Sequence, residues 1–246
     1  MDLKSEIRVL NLFELFAEVG RAMPLTELAE RMGIPASSCF NLVRGVEQRG
    51  YLYAAKARGA LYPTRRLYDV AKSILDNDVV TPAIRARMAA LRDEAGETVC
   101  LAQRRDREVV YLEVHESHHS IRFMVGVGDT RDLHSNSMGK AILATLTPAE
   151  RARVLQGLSY RRHSPRTLVT PEALEADIEK GRARGWWGNE GETAPDALAV
   201  AVPVRIGAEW YGVSVVGPAA RMSPSLDSLV QALRETAADI SSARAP

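Results

Sequence analysis

Hydrophobic periodicity divides the sequence into a helical N-terminal part and a longer region where strand-like runs alternate with helices, which predicts an α+β fold. Three observations carry this reading. Residues 3–19 place Ile7, Leu10, Leu12, Phe13, Leu15 and Phe16 at helical spacing and stop near Gly20. Residues 25–44, LTELAERMGIPASSCFNLVR, read as two short helices meeting at Gly33. Further on, apolar runs at 98–102 and 109–112, and again at 197–206 and 210–216, are split by short polar turns. That pattern indicates hairpin-joined strands in an antiparallel sheet covered by helices.

Each element has a local cause. Leu28, Met32, Ile34, Cys39 and Leu42 fall where a helix pair packs on a third helix, and small Ala29 permits close approach. Gly33 supplies the left-handed residue at the reversal, and Pro35 opens the second helix where its missing N–H costs little. That helix continues through Val43 and Val46 to Gly50. Tyr51, Tyr53 and Tyr62 then flank a basic turn at Arg58-Gly59, the pattern of a two-stranded wing. Three helices and a hairpin make a winged helix-turn-helix, assigned to residues 1–67. Residues 67–77 and 82–94 read as consecutive helices, giving a helical connector at 68–95 that also offers a dimer contact. Residues 96–246 form the second domain. It holds the two strand pairs, a further strand at 121–125, a helix at 138–145 and a closing helix at 223–243. Thr147-Pro148-Ala149-Glu150 and Thr170-Pro171-Glu172-Ala173 each supply an N-cap and a proline at the first helical position.

Composition narrows the function classes. The 246 residues are 46% apolar and 26% charged, as in ordinary globular chains. No apolar run reaches the ~18–20 residues of a membrane span. MDLKSEIRVL lacks the apolar core of a secretory signal, and Cys39 and Cys100 form no disulfide framework. The expected location is the cytoplasm. The net charge of +1 conceals a local excess, since residues 35–66 contain Arg44, Arg49, Lys56, Arg58, Arg65 and Arg66 against Glu47. Such an excess suits a surface facing phosphates.

Ser37, Ser38, Phe40, Asn41 and Arg44 are expected on the outer face of the second helix of the pair. Asn41 can pair bidentately with adenine, Arg44 can reach guanine or phosphate, and Phe40 can contact a thymine methyl. Lys56, Arg58, Arg65 and Arg66 of the wing suit phosphates. Double-stranded DNA is therefore the expected partner.

Other motifs carry less. His115-Glu116-Ser117-His118-His119 matches HExxH, which binds zinc only when both histidines share one helix face. Here it follows a strand-like run, so a solvated strand end is the better reading and no metal is assigned. Ser137-Met138-Gly139-Lys140 is a poor phosphate loop, with His134 at the first glycine position and Ala141 in place of the metal-binding hydroxyl. Ser135, Asn136 and Ser137 instead look like a helix cap whose free N–H groups can hold a carboxylate. Trp186 and Trp187 suit a pocket, a core or a dimer contact. No catalytic set stands out.

The chain as a whole resembles the IclR family of bacterial transcriptional regulators. The resemblance is carried by LTELAERMGIPASS with QRGYL, by ALRDEAGETVCLAQRRDREVVYLEV, by LHSNSMGKAILA, and by RGWWGNEGE followed by AVAVPV and VSVVGPAAR. It implies a C-terminal GAF-like ligand-sensing domain and a homodimer, commonly paired into a tetramer on DNA, with no cofactor. It also implies a small organic acid held by backbone N–H groups at Ser137 and Met138. Asn189, Ala199, Ser214 and Val216 would line one side, with Phe123 and Arg131 opposite. The family often has cysteine at the position of Ala199 and an acid at that of Asn189, so the pocket here should be roomier and less negative. Arg131 can pair with a second anionic group, and an aromatic or dicarboxylic effector is expected. Asn41 replaces a basic residue common in the family, so a shared operator preference is not implied. The competing readings are a metal-dependent hydrolase using the HExxH residues and a protein-interaction module that does not bind DNA.

Overall fold

The computed structural model describes residues 3–55, 59–76 and 78–242, apart from the side chains of 3–6, and divides into two compact units, Met1–Asp78 and Val79–Pro246.

In the first unit, helices α1 (Leu3–Val19), α2 (Leu25–Arg31) and α3 (Ala36–Gln48) precede a hairpin of β1 (Leu52–Ala54) and β2 (Leu61–Pro63). Helix α4 (Arg66–Leu75) follows. Leu12 and Phe16, one turn apart on α1, bury against Leu28 of α2, Cys39 and Val43 of α3, and Leu52 and Leu61 of the hairpin. The α2–α3 reversal is a Schellman motif. Gly33 has φ +62°, its N–H donates to Glu30 O, and the Ile34 N–H donates to Ala29 O. Pro35 sits at the N-cap of α3, one position before the expected first helical residue. In the hairpin Tyr53 pairs with Tyr62, and Met23 bridges Leu61 on the far side.

The second unit is built on one antiparallel sheet in the order β5-β4-β3-β8-β7-β6. Its strands are β3 (Thr98–Arg105), β4 (Glu108–His115), β5 (Thr130–Asp132), β6 (Trp187–Glu190), β7 (Ala197–Ile206) and β8 (Glu209–Pro218). Helices cover both faces, which is why β7 and β8 read as nearly continuous apolar runs. On one face Val99, Leu101, Val200, Val202, Val213 and Val215 bury against α5 (Pro82–Ala95) and α10 (Leu226–Ser242). Between β8 and α10 lie the short α9 (Ala219–Met222) and a 3-10 turn, so the closing helix starts three residues later than its sequence suggests. The other face is made of small residues, Cys100, Ala102, Ala199, Ala201 and Ser214, beneath α6 (Ser137–Thr145). Helices α7 (Pro148–Gly157) and α8 (Pro171–Arg184) complete that layer. Small residues let α6 lie close to the sheet: a Cβ on Gly212 would fall 2.5 Å from Met138 Cβ. Thr147 opens α7 with a complete capping box.

One expectation is corrected. Residues 121–125 form no strand. Two of their carbonyls go to side chains, Phe123 O accepting from the Thr98 hydroxyl and Ile121 O from Arg221, and β5 at 130–132 is the strand that pairs with β4. The two helices expected at 67–77 and 82–94 form as α4 and α5. Helix α4 falls in the first unit with no buried residue, whereas α5 sends Ile84, Met88 and Leu91 into the core of the second.

Candidate functional site

The outer face of α3 follows from its inner one. Cys39, Val43 and Val46 are buried, and Ser37, Asn41 and Arg44 lie on the opposite side at steps of four and three. Phe40 is about half exposed, and Ser38 is partly buried on the flank. Lys56 and Arg58 lie outside the described residues. Arg65 and Arg66 do not belong to the hairpin strands. Arg65 immediately precedes α4, pairs with Asp69 and lies over the Tyr68 ring, and Arg66 is the first α4 residue, lying over Tyr51.

In the second unit Phe123, Arg131, Ser137, Met138, Asn189, Ala199, Ser214 and Val216 line a single cavity of about 210 Å³. Residues from β5, β6, β7, β8 and the segment before β5 thus meet the N-terminus of α6. The expected cap residue Asn136 lines it too, and sequence reasoning missed Tyr111 and Thr193, which also line it. Tyr111 follows Val109 onto the α6 face by ordinary alternation, and β4 then carries a bulge at Leu112: Leu101 pairs with Glu113 while Ala102 pairs with Tyr111. The extra residue shifts the side-chain alternation, so Val109, Tyr111 and Val114 share the α6 face while Leu112 packs on the other.

Asn136 organises the polar end. As N-cap it accepts from the Met138 and Gly139 N–H groups at 2.9 and 3.2 Å, and its amide donates to the Tyr111 hydroxyl at 3.0 Å. The Met138 N–H is therefore already engaged, which corrects the expectation that it is free for a ligand. Ser137 supplies the first N–H of the helix. Burial pushes the Tyr111 phenol well above its ordinary value, so it stays neutral. With its oxygen accepting from Asn136, its O–H is available to the cavity. Asn189 spends both amide hydrogens on Ser135 O and Thr193 Oγ1 and accepts from the Glu192 N–H, so it shapes the wall. Arg131 donates to Thr130 O at 2.7 Å and lies 3.6 Å from Asp129. No carboxylate lines the cavity among the described residues. With a helix N-terminus at one end and a guanidinium nearby, the cavity favours an anion.

Behind α6, Lys140 is completely buried. It bonds Glu192 in the loop after β6, Asp177 of α8 at 2.8 Å and Gly188 O at 3.1 Å. Burial holds the Glu192 carboxyl above the usual range, and the Lys140 ammonium pulls it part of the way back. Neither tryptophan lines the cavity. Trp187 packs on Gly181 and donates to Ile178 O, and Trp186 lies beneath Arg184.

The HExxH residues are not on a helix. His115 ends β4 beside Glu113, Glu116 pairs with Arg122, and His118 faces Asp93. Among the described residues no cluster of three or more histidine, cysteine or acidic side chains is placed to hold a metal, and no helix is long and apolar enough to cross a membrane.

Known families match both units. The model of the IclR helix-turn-helix domain matches residues 7–55, and that of the bacterial transcriptional regulator IclR C-terminal matches residues 72–242. The chain belongs to the IclR family of bacterial transcriptional regulators. As an IclR-family regulator it has a helix-turn-helix DNA-binding domain and a C-terminal ligand-binding domain. It is 28% identical to the regulator BhcR of Paracoccus denitrificans, over 97% of this chain and 86% of that one. Among solved structures it resembles the IclR of Thermotoga maritima, with a TM-score of 0.78, 23% identity and 98% of each chain covered. It also resembles an IclR homologue of Microbacterium hydrocarbonoxydans in complex with 4-hydroxybenzoate, with a TM-score of 0.69 and 24% identity over 96% of this chain and 97% of that one. The two structural likenesses establish the IclR fold, α+β with an antiparallel sheet, for the whole chain.

Proposed function

We propose that this protein is a cytoplasmic, ligand-responsive regulator of catabolic genes. It binds operator DNA as a homodimer, and a small aromatic or dicarboxylic acid in the α6 cavity sets its operator affinity. Residues 1–67 serve as the DNA-binding domain, 68–95 as the connector and 96–246 as the effector domain. One observation carries the reading: residues far apart in sequence converge on one cavity that offers the α6 N-terminus and the Arg131 guanidinium to an anion and is otherwise largely apolar. Its volume lies below the ~300–1,000 Å³ of drug-sized sites, which suits a single ring or a short chain. The 4-hydroxybenzoate held by the Microbacterium homologue is of this class. The test is fluorescence anisotropy of the full-length protein on the DNA upstream of its own gene. Adding 4-hydroxybenzoate or a short dicarboxylate should move operator affinity by roughly 5- to 150-fold, the usual range of coupling. Unchanged affinity with every such acid would refute the effector reading.

Ser37, Ser38, Phe40, Asn41 and Arg44 are assigned to base edges and neighbouring phosphates, and Lys56, Arg58 and Arg65 to phosphates. Asn41→Ala should lose about 1–3 kcal/mol of discrimination at one base pair. Lys56→Ala should weaken all sequences alike and flatten the salt slope by about 0.9. Competition binding against single-base operator variants, repeated across salt concentrations, separates the two. Uniform weakening by Asn41→Ala would remove that residue from base readout.

Self-association is assigned to α4 and the adjoining face of α1. Leu67, Val70 and Ile74 recur along α4 and stay exposed, and with Leu10 they leave an unusually apolar helical surface. Ile74→Glu should lower the sedimentation coefficient at micromolar concentration. A coefficient equal to that of the unaltered protein would place the dimer contact elsewhere.

A further inference from the structure

A second cavity, of about 390 Å³, adjoins the first, with Arg131 and Thr193 lining both. Ser135, Arg161 and His163 also line it. Its two acids are already engaged. Asp132 lies 2.7 Å from His163 Nε2, and Glu108 accepts from the Thr130 hydroxyl at 3.3 Å. The Arg161 carbonyl is held by His134 at 3.0 Å, which fixes the backbone there while the guanidinium makes no hydrogen bond or ion pair among the described residues. Ser135 is almost wholly buried, and its hydroxyl has no hydrogen-bond partner, although its carbonyl is held by Asn189. A buried hydroxyl left unpaired is unfavourable and calls for an explanation.

We infer that this second cavity receives the far anionic group of a two-headed effector, so that the ligand class is a dicarboxylate. One carboxylate sits at the α6 N-terminus beside Tyr111. The hydrocarbon passes Arg131 and Thr193, and the second carboxylate lies between the Arg131 and Arg161 guanidiniums near Ser135. A guanidinium presents paired donors that match a carboxylate edge, so this end discriminates charge and not simply bulk. A monoacid occupies the first cavity alone.

The inference rests on the effector reading of the first cavity, and one calorimetric series on the full-length protein separates the two. The probes are benzoate against terephthalate and hexanoate against adipate. In at least one pair the diacid should bind roughly tenfold or more tightly than the monoacid. Arg161→Gln should remove that advantage and leave the monoacid affinity unchanged, because Arg161 does not line the first cavity. Monoacids that bind as well as their diacids in both pairs would overturn the second site and leave the first standing. So would Arg161→Gln weakening both members of a pair equally. Failure of all four acids to bind would overturn both readings.

Discussion

Lys140→Met is expected to destabilise the second unit by about 3–5 kcal/mol, the usual cost of removing one member of a buried ion pair. The lysine side chain is 1% exposed and that of Glu192 is 9% exposed, so the carboxylate has almost no water to replace its partner. Asp177 is a quarter exposed and stays partly solvated. At roughly 2–4 °C per kcal/mol for a domain of this size, the unfolding midpoint should drop by about 6–20 °C. The deficit has a defined pH dependence. Glu192 already sits above the ordinary glutamate range because burial penalises its charge, and loss of the ammonium removes the attraction opposing that shift. A carboxyl with a raised folded pKa binds its proton more tightly when folded than when unfolded. Stability is then greatest below the unfolded value and falls as pH rises through the folded one. Urea unfolding should therefore show a smaller deficit at pH 5 than at pH 8. Glu192→Leu added to Lys140→Met should recover most of the loss. An unchanged urea midpoint for Lys140→Met at pH 8 would show that the pair contributes nothing.

What could be read from the sequence depended on whether the cause was local. The α2–α3 reversal was legible because Gly33, Pro35 and the flanking apolar residues specify it within one short window. The capping signals at Thr147 and Thr170 were legible for the same reason. Lys140 was not. Its carboxylate partners lie 37 and 52 residues further along the chain, and nothing near Gly139 reports a buried cation. Tyr111 escaped because the run VVYLEV is apolar on both faces, so alternation alone does not say which face of β4 lies beneath α6. The strand expected at 121–125 failed for a different reason. Its apolar residues are real, but Ile121 and Met124 are 76% and 66% exposed, and the carbonyls of Ile121 and Phe123 bond side chains, not a neighbouring strand. The eight cavity residues came from resemblance to the family. No spacing rule joins Phe123 to Val216, yet strand register sets Asn189, Ala199 and Val216 in one row across the sheet.

Asn136→Asp is expected to weaken acid binding sharply while keeping the fold, and so to separate the electrostatics of the cavity from its architecture. Aspartate caps a helix as well as asparagine does, so the Met138 and Gly139 N–H groups keep an acceptor. The Tyr111 contact can survive by reversal. The hydroxyl that now accepts from the Asn136 amide would donate to the new carboxylate, a role open to it because the phenol stays neutral. Stability at pH 7 should therefore change by no more than about 1 kcal/mol. The ligand meets the opposite circumstance. A fixed negative charge would stand at the α6 N-terminus, where the proposed carboxylate docks. Two like charges a few ångströms apart at an effective dielectric near 20 repel by about 2–4 kcal/mol, a loss of roughly 30- to 1,000-fold in affinity. The repulsion follows the charge, so binding should return as pH falls and the introduced carboxylate takes up a proton. A neutral amide analogue of the same acid should bind the variant about as well as the unaltered protein. Calorimetry on the variant decides between two accounts. Retained acid affinity would place the carboxylate away from this helix end, whereas lost acid affinity with a normal unfolding midpoint fixes it there.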